Sequence, residues 1–524
     1  MTETTTVARE QILRWLSELA CDNKSGNPTE RIDTHANTII LNGDFAFKIK
    51  RPVKFPFLDY SSLSLRENAC KHEIEYNAPH APQVYREAVP ITRQTGGQLV
   101  LNGDGIPIEW VVVMNRFDHR LELDELAEKG PFDKQLGQQL ADMMADAHAK
   151  APVRTGAGFL DGLNAYIDQN DAAFKARPDL FDTNAVDRLT SNAQEAFENI
   201  RPLLRQRAET GSIRLCHGDA HLRNIVLIDG TPVLFDAVEF SDEIATCDVL
   251  YDLAFLLMDL WERKQRACAN FVFNRYLDKT HRPDELDGLA ALPFFLMMRA
   301  SIRAKIAASA SENQDTDQAR AEQEIQARRY FDFAQDFLEA AEPVMIGIGG
   351  LSGSGKTTLA YALAPSLGRA PGARVLRTDV ERKARLGISE TEKAPEEAYT
   401  QQASSAVYEA LAVQCKTVLE AGHSVIFDGV FAKEEERAEC EVIAGLAAAG
   451  FCGLWLSAPK ESLVARVDRR GGDASDATGD IVERQLTYDI GQNSWTKLES
   501  NRTKEDTKNA ASLVLSCCGI LQNE

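Results

Sequence analysis

The segment Val344–Leu367 constrains the fold more than any other part of the chain. It reads VMIGIG, then GLSGSGKT over Gly350–Thr357, then TLAYALAPSL. A short apolar run followed by a glycine loop and a helical pattern predicts strand, loop and helix. Such a unit needs a parallel sheet covered by helices. The loop fits G-x-x-x-x-G-K-S/T, and each residue type has a reason to be there. Gly350, Gly353 and Gly355 let backbone N–H groups turn inward around phosphate oxygens. Lys356 offers a point charge to the β and γ phosphates, and Thr357 offers a hydroxyl to Mg²⁺. Ser352, Ser354 and Thr358 complete the set of candidate ATP-binding residues. The helix that follows, expected over Thr358–Leu367, aims its positive end at the anion.

Three further features lie in the same region. Val425–Asp428 is an apolar strand ending in an acid, placing Asp428 as a candidate Mg²⁺ ligand; an acid at an ordinary turn before Gly429 is the alternative. Arg374–Thr378 reads as a strand with Asp379 at its C-terminal end, where open parallel sheets bind ligands. Asp379 is therefore a candidate to accept the proton of an attacking hydroxyl. The spacing Thr378-x-x-Glu381 also reads as a capping box, which would make Asp379 the start of a helix and nothing more. Arg466, Arg469 and Arg470 precede Gly471-Gly472. They read as a lid carrying positive charge to the transferred group, with Arg466 and Arg470 the catalytic candidates; a solvated helix face is the alternative for each. With GLSGSGKT, Thr378-Asp379 and VIFDG, residues 343–524 resemble the P-loop small kinases, among them chloramphenicol-phosphotransferase-like, zeta-toxin-like and polynucleotide-kinase-like proteins. The resemblance implies a parallel sheet with flanking helices and a hydroxyl-bearing acceptor.

A second constellation lies upstream. Residues 217–224 read HGDAHLRN, and Phe235-Asp236 follows after a hairpin turned at Asp229-Gly230. The spacing His217-x-Asp219-x-x-x-x-Asn224 matches the catalytic loop H-R-D-x-x-x-x-N of protein kinases. Asp219 would accept or orient a substrate hydroxyl, while Asn224 and Asp236 would hold Mg²⁺ on the triphosphate. His217 reads as a shaping, structural residue, and Asp252 as a group that holds the loop. Phe45-Ala46-Phe47-Lys48 ends a strand in the manner of V-A-I-K, so Lys48 is the candidate for the α/β phosphates. Lys50 shares its face and is the runner-up. Glu73 is the candidate partner of Lys48, with Glu67 and Glu75 as alternatives.

These residues resemble those of the aminoglycoside phosphotransferases, a kinase-like family marked by HGD-x-x-x-x-N and a later Asp. The resemblance implies a bilobal fold over roughly residues 30–340 and ATP-dependent transfer to a hydroxyl. The hairpin at Thr34–Leu41 has no G-x-G-x-x-G, and no acidic aminoglycoside-binding cluster is evident, so antibiotic resistance is not implied. The whole arrangement resembles bacterial fusions of such a domain with a P-loop kinase domain.

The period of the apolar pattern changes abruptly after Glu342-Pro343. Two domains are therefore expected: a protein-kinase-like bilobal α+β domain over 1–342 (lobes about 30–117 and 118–342), and an α/β P-loop NTPase domain over 343–524. The chain has 524 residues, too many for a single core. Its net charge of −21 disfavours extended nucleic-acid backbone or anionic lipid as partners. The N-terminus has no basic region followed by an apolar run, and no stretch reads as membrane-spanning. Ten cysteines without CxxC spacing read as reduced thiols, so a cytoplasmic protein is expected. The sequence thus predicts an enzyme that uses ATP and Mg²⁺ to phosphorylate small hydroxyl compounds, with two sites. The alternative is a P-loop kinase, acting on a nucleotide, sugar nucleotide or polynucleotide end, regulated by a nucleotide-sensing kinase-like domain. A motor or switch protein would require sensor elements that the sequence lacks.

Overall fold

The computed structural model of the protein describes residues 3–55, 58–469 and 474–521. They fall into two compact units. The first comprises Met1–Pro131, Asp146–Phe159 and Gly211–Leu256; the second comprises Phe132–Ala145, Leu160–Thr210 and Leu257–Glu524.

The first unit is built on a six-stranded sheet of β1 (Glu30–Asp33), β2 (Asn37–Asn42), β3 (Phe45–Lys50), β4 (Tyr85–Arg93), β5 (Leu99–Leu101) and β6 (Ile106–Asn115), in the order β1-β2-β3-β6-β4-β5. The hairpin expected from Asn42-Gly43 is β2–β3. Gly43 has φ +58°, and a Cβ there would lie 2.3 Å from the Asp22 carbonyl oxygen, so only glycine fits. Helix α1 (Glu3–Glu18) sets Ile12, Leu13 and Leu16 against Ile40, Phe47, Ile49 and Val111 on one face of the sheet. Helix α2 (Leu63–Asn77) covers the other face; its N-terminus is capped by Ser62, whose hydroxyl accepts from Leu65 N–H. Side chains alternate along a strand. Since Phe47 and Ile49 face α1, Ala46, Lys48 and Lys50 face α2.

The second unit contains helices α3 (Arg266–Thr280), α4 (Leu292–Ser311) and α5 (Asp317–Leu338), followed by a five-stranded sheet. Its strands are β7 (Val344–Gly349), β8 (Arg374–Arg377), β9 (Val425–Asp428), β10 (Gly450–Ser457) and β11 (Thr496–Glu499), ordered β8-β9-β7-β10-β11. Every pairing is parallel. Ile346, Ile348, Ile426 and Leu454 pack on Leu359 and Leu363 of helix α6 (Lys356–Leu363). Strands buried on both faces read as apolar runs, which is why β7 and β9 were legible. The helix was expected over Thr358–Leu367. It starts two residues earlier because Gly355 serves as N-cap, and a 3₁₀ turn over Ala364–Ser366 ends it. Pro343 lies in the connection between α5 and β7.

Strand β8 is an edge of this sheet, and α3 completes its hydrogen bonding with side chains. Asn274 Oδ1 accepts from Val375 N–H at 2.7 Å, while Asn270 and Asn274 Nδ2 donate to the Ala373 carbonyl at 3.0 and 3.1 Å. Arg374 reaches back to Asp278 at 2.5 Å and to the Asn274 carbonyl at 3.0 Å. These contacts cover an edge that would otherwise recruit another strand.

His423 is buried behind this sheet and lies 3.0 Å from the Leu289 carbonyl. Burial lowers its pKa from 6.5 to about 3. The unfolded chain takes up a proton at this residue below pH 6.5, and the fold does not. His423 therefore contributes stability fully above pH 6.5 and loses it as the pH falls toward 3, by about tenfold in the folding constant per pH unit. Urea midpoints at pH 7 and pH 5 are expected to differ less in His423→Gln than in the parent.

All ten cysteines are free thiols. Among the described residues, no helix is long and apolar enough to cross a membrane.

Candidate active sites

The first unit gathers the upstream constellation. Lys48, near the end of β3, places Nζ 2.7 Å from Glu73 Oε1 on α2 and 2.8 Å from Asp236 Oδ1. Of the alternatives to Glu73, Glu67 pairs with Lys71 one helical turn away. Burial alone would raise the Glu73 carboxyl, but the ammonium groups of Lys48 and Lys50 outweigh it and hold the pKa below its ordinary value. Asp236 sits at φ +60° and donates its backbone N–H to the Tyr85 hydroxyl at 3.2 Å.

The loop at 217–224 is held from behind. Asp252 accepts from Gly218 N–H at 2.8 Å and from His217 N–H at 3.3 Å. His217 Nε2 lies 3.0 Å from the Phe235 carbonyl, which links the loop to the segment carrying Asp236. Gly218 has φ +81°, and a Cβ there would press on Val238. Asn224 Nδ2 donates to the backbone carbonyl and to Oδ2 of Asp219, both at 2.9 Å. The Asp219 carboxylate lies close enough to Asp236 to repel it. Asn224 and Asp236 thus bring oxygen donors beside Asp219, a donor set that suits a hard cation such as Mg²⁺.

The second unit holds the glycine loop. Gly350 and Gly353 have φ +138° and +80°, and a Cβ on either would lie 2.5 Å or less from a backbone oxygen of Leu456 or Leu463. Ser352 N–H is taken by Gln485 Oε1 at 2.7 Å. Lys356 Nζ donates to the Leu351 carbonyl at 3.2 Å, and Thr357 Oγ1 donates to Asp428 Oδ2 at 2.6 Å. Burial raises the Asp428 carboxyl even with Lys356 and Arg377 nearby. The Thr357–Asp428 oxygen pair beside a cationic loop again fits Mg²⁺.

A cavity of about 490 Å³ opens on this loop and is lined by Lys356, Thr357, Asp428, Asp379, Arg377 and Arg382, among others. Gly353, Gly355 and Ser352 border it too. Asp379 is in the first turn of helix α7 (Thr378–Leu386). The capping box expected from Thr378 and Glu381 is absent. The N-cap is Arg377, and Thr378 already has helical backbone; Glu381 turns instead to Gln414 Nε2 at 2.8 Å. Thr358, Ser354 and Arg466 line a second hollow of about 460 Å³ with Thr503 and Lys504. Arg466 donates to the Gly353 carbonyl at 3.3 Å and to the Ser500 carbonyl at 2.7 Å, so its guanidinium braces the back of the loop. Arg469 is exposed, and Arg470 lies outside the described residues.

Sequence reasoning missed Arg377, Arg382 and Tyr399. Arg382 is 8% exposed; its Nη1 donates to the Ala398 carbonyl at 2.5 Å, and its guanidinium stacks 4.7 Å from the Tyr399 ring. Among the described residues its buried Nε has no hydrogen-bond partner. The spacing Asp379-x-x-Arg382 puts both on one helix face, which was the available signal. Sequence reasoning also missed a buried anchor: Lys383 Nζ pairs with Asp476 at 2.9 Å, and Tyr399 donates to the same carboxylate at 2.8 Å.

Two family models match separate stretches of the chain. Residues 82–292 match the model of the phosphotransferase enzyme family, and residues 345–488 match that of an AAA domain. Proteins of Mycobacterium tuberculosis and Mycobacterium bovis, both described as uncharacterized, are 29% identical over 472 residues, covering 88% of this chain and 90% of theirs. Among solved structures, the GDP complex of aminoglycoside 2'-phosphotransferase-IIIa covers 63% of this chain and 99% of its own at 16% identity and a TM-score of 0.39. A sugar kinase of Janibacter covers 34% and 99% at 18% identity and a TM-score of 0.27. The chain thus carries one stretch that matches the phosphotransferase enzyme family, over residues 82–292, and a P-loop stretch that matches the AAA domain model, over residues 345–488.

Proposed function

We propose that the protein is a phosphotransferase with two ATP·Mg sites, each moving the γ-phosphate to the hydroxyl of a small molecule. The observation that carries the P-loop site is the shared cavity of Lys356, Thr357, Asp428 and Asp379. Asp379 takes the proton of the acceptor hydroxyl. The new O–P bond forms as the bond between the β,γ-bridging oxygen and the γ-phosphorus breaks, and ADP leaves. Lys356 and the N-terminus of α6 compensate the charge on the phosphates. Mg²⁺, held through Thr357 and Asp428, would neutralise charge on the phosphate oxygens. In the first site, Asp219 orients the acceptor hydroxyl, Lys48 holds the α/β phosphates, and Asn224 and Asp236 would hold Mg²⁺.

The acceptor of the P-loop site carries an anionic group. Arg382 supports this: its guanidinium, with that of Arg377, lines the cavity that also holds Asp379. Desolvated guanidinium groups suit carboxylates and phosphates. The test is incubation of the full chain with ATP labelled in the γ-phosphate and a fractionated cell extract, reading which compound gains label. An anionic hydroxyl compound is expected to gain it. Arg382→Gln is expected to raise KM for that compound about tenfold with little change in KM for ATP. Label appearing only on neutral compounds would remove the anionic assignment, and label on no compound would remove the phosphotransfer reading of both sites.

A further inference from the structure

Lys50 is a second buried lysine beside Lys48 of the first site, and phosphotransfer as described above gives it no role. It is fully buried on the α2 face of β3, with Nζ paired to Glu73 Oε2 at 2.5 Å and to Glu239 Oε1 at 2.9 Å. Lys48 holds the other oxygen of the same Glu73 at 2.7 Å and Asp236 at 2.8 Å. The five groups form one alternating chain, Asp236–Lys48–Glu73–Lys50–Glu239, with Glu73 at its centre. The Tyr60 ring lies 5.3 Å from Lys50 Nζ. The segment carrying the outer acids is fixed to α2 at two further points: Asn77 Oδ1 accepts from Ala237 N–H at 2.8 Å, and His72 Nδ1 lies 2.7 Å from the Glu239 carbonyl.

A nucleotide entering this site needs Lys48 for its phosphates. Glu73 is wholly buried, and a carboxylate left there without a counter-ion is costly. If Lys48 were its sole partner, the phosphates would have to compete with Glu73 for that ammonium. We infer that Lys50 is a positioning residue that carries the charge of Glu73, so that Lys48 is released to the nucleotide phosphates while Glu73 stays ionised and in place. The inference rests on the reading of the first unit as an ATP site. Burial would lower the pKa of Lys50, but Glu239 and Glu73 outweigh it and keep the ammonium charged. Glu239, at the far end, serves as the second counter-ion of Lys50 and does not touch Lys48.

The test measures equilibrium binding of AMPPNP·Mg, a nonhydrolysable ATP analogue, to the full chain carrying Lys356→Ala, which silences the P-loop site. In that background Lys50→Met is expected to weaken binding about tenfold, and Lys50→Arg to restore most of it. Glu239→Gln leaves Lys50 on Glu73 and is expected to bind within about twofold of the parent. The decisive comparison is with Glu73→Gln. Once that carboxylate is neutral, Lys50 has nothing to hold, so Lys50→Met/Glu73→Gln is expected to bind no worse than Glu73→Gln alone. A merely structural lysine would give losses that multiply in the double variant, and that result overturns the inference. Equal affinity of Lys50→Met and parent, or a loss in Glu239→Gln as large as in Lys50→Met, overturns it too. Absence of AMPPNP binding to the Lys356→Ala parent would instead remove the ATP-site reading itself, a distinguishable failure. Should Lys50→Met not fold alone, Lys50→Met/Glu73→Gln is compared directly with Glu73→Gln, and binding about tenfold weaker in the double variant overturns the inference.

Discussion

Lys356→Ala is expected to lower the ATP turnover of the P-loop site by about a hundred- to a thousandfold, and to leave the turnover of the first site intact. The reason is geometric. Lys356 starts α6, its ammonium rests 3.2 Å from the Leu351 carbonyl, and it shares a cavity with Thr357, Asp379 and Asp428. No other lysine or arginine begins that helix, so the developing charge on the leaving phosphate would lose the cation held at the loop. Asp219→Asn is expected to do the same to the first site. There the carboxylate accepts from Asn224 Nδ2 at 2.9 Å, and an amide in its place could not take a proton from the acceptor. The measurement is ATP turnover by each single variant and by the double variant. Two partial losses that add to a total loss are expected. A full loss from either substitution alone would indicate one coupled site. No loss from Asp219→Asn would remove the catalytic role of the first unit.

The second large effect concerns the seam between α3 and β8. Arg374→Met is expected to destabilise the second unit by about 3–5 kcal/mol, because it strands Asp278 as a buried, uncompensated carboxylate. Both partners are about 6% exposed, and the pair is 2.5 Å apart. Arg374 also donates to the Asn274 carbonyl and Oδ1, so α3 loses several partners at once. Urea denaturation followed by tryptophan fluorescence reads the loss. Arg374→Met combined with Asp278→Leu removes both charges and is expected to recover much of it. A single variant as stable as the parent would mean that the seam contributes little.

Much of the candidate chemistry was legible because it is written as spacing. GLSGSGKT and HGDAHLRN each fix backbone geometry and donor type within eight residues, so the sequence carries the local structure directly. Lys48 and Glu73 were legible through the strand and helix that carry them. Arg382 was not, because an arginine on a helix looks solvated until the loop bearing Tyr399 closes over it, and Arg377 was not, because it ends a short edge strand where an exposed cation is ordinary. The capping-box reading at Thr378 failed because Thr378 already has helical backbone, leaving Arg377 as the N-cap. The seam was invisible for a different reason. Asn270 and Asn274 are ordinary helix-surface residues by type, and their meaning depends on Ala373 and Val375, which lie about a hundred positions further along. No local pattern records a pairing across that distance.

The same seam fixes an order of events during synthesis. Helix α3 leaves the ribosome well before β8, because the chain is made from its N-terminus. When β8 emerges, the asparagines that satisfy Val375 and Ala373 are already present, and the strand need not wait exposed for a neighbour from another molecule. A rearranged gene that placed residues 343–524 ahead of α3 would still encode every residue of the seam. It would, however, release β8 into the cell before its cover existed, and such nascent chains are expected to aggregate while the purified, refolded protein remains stable.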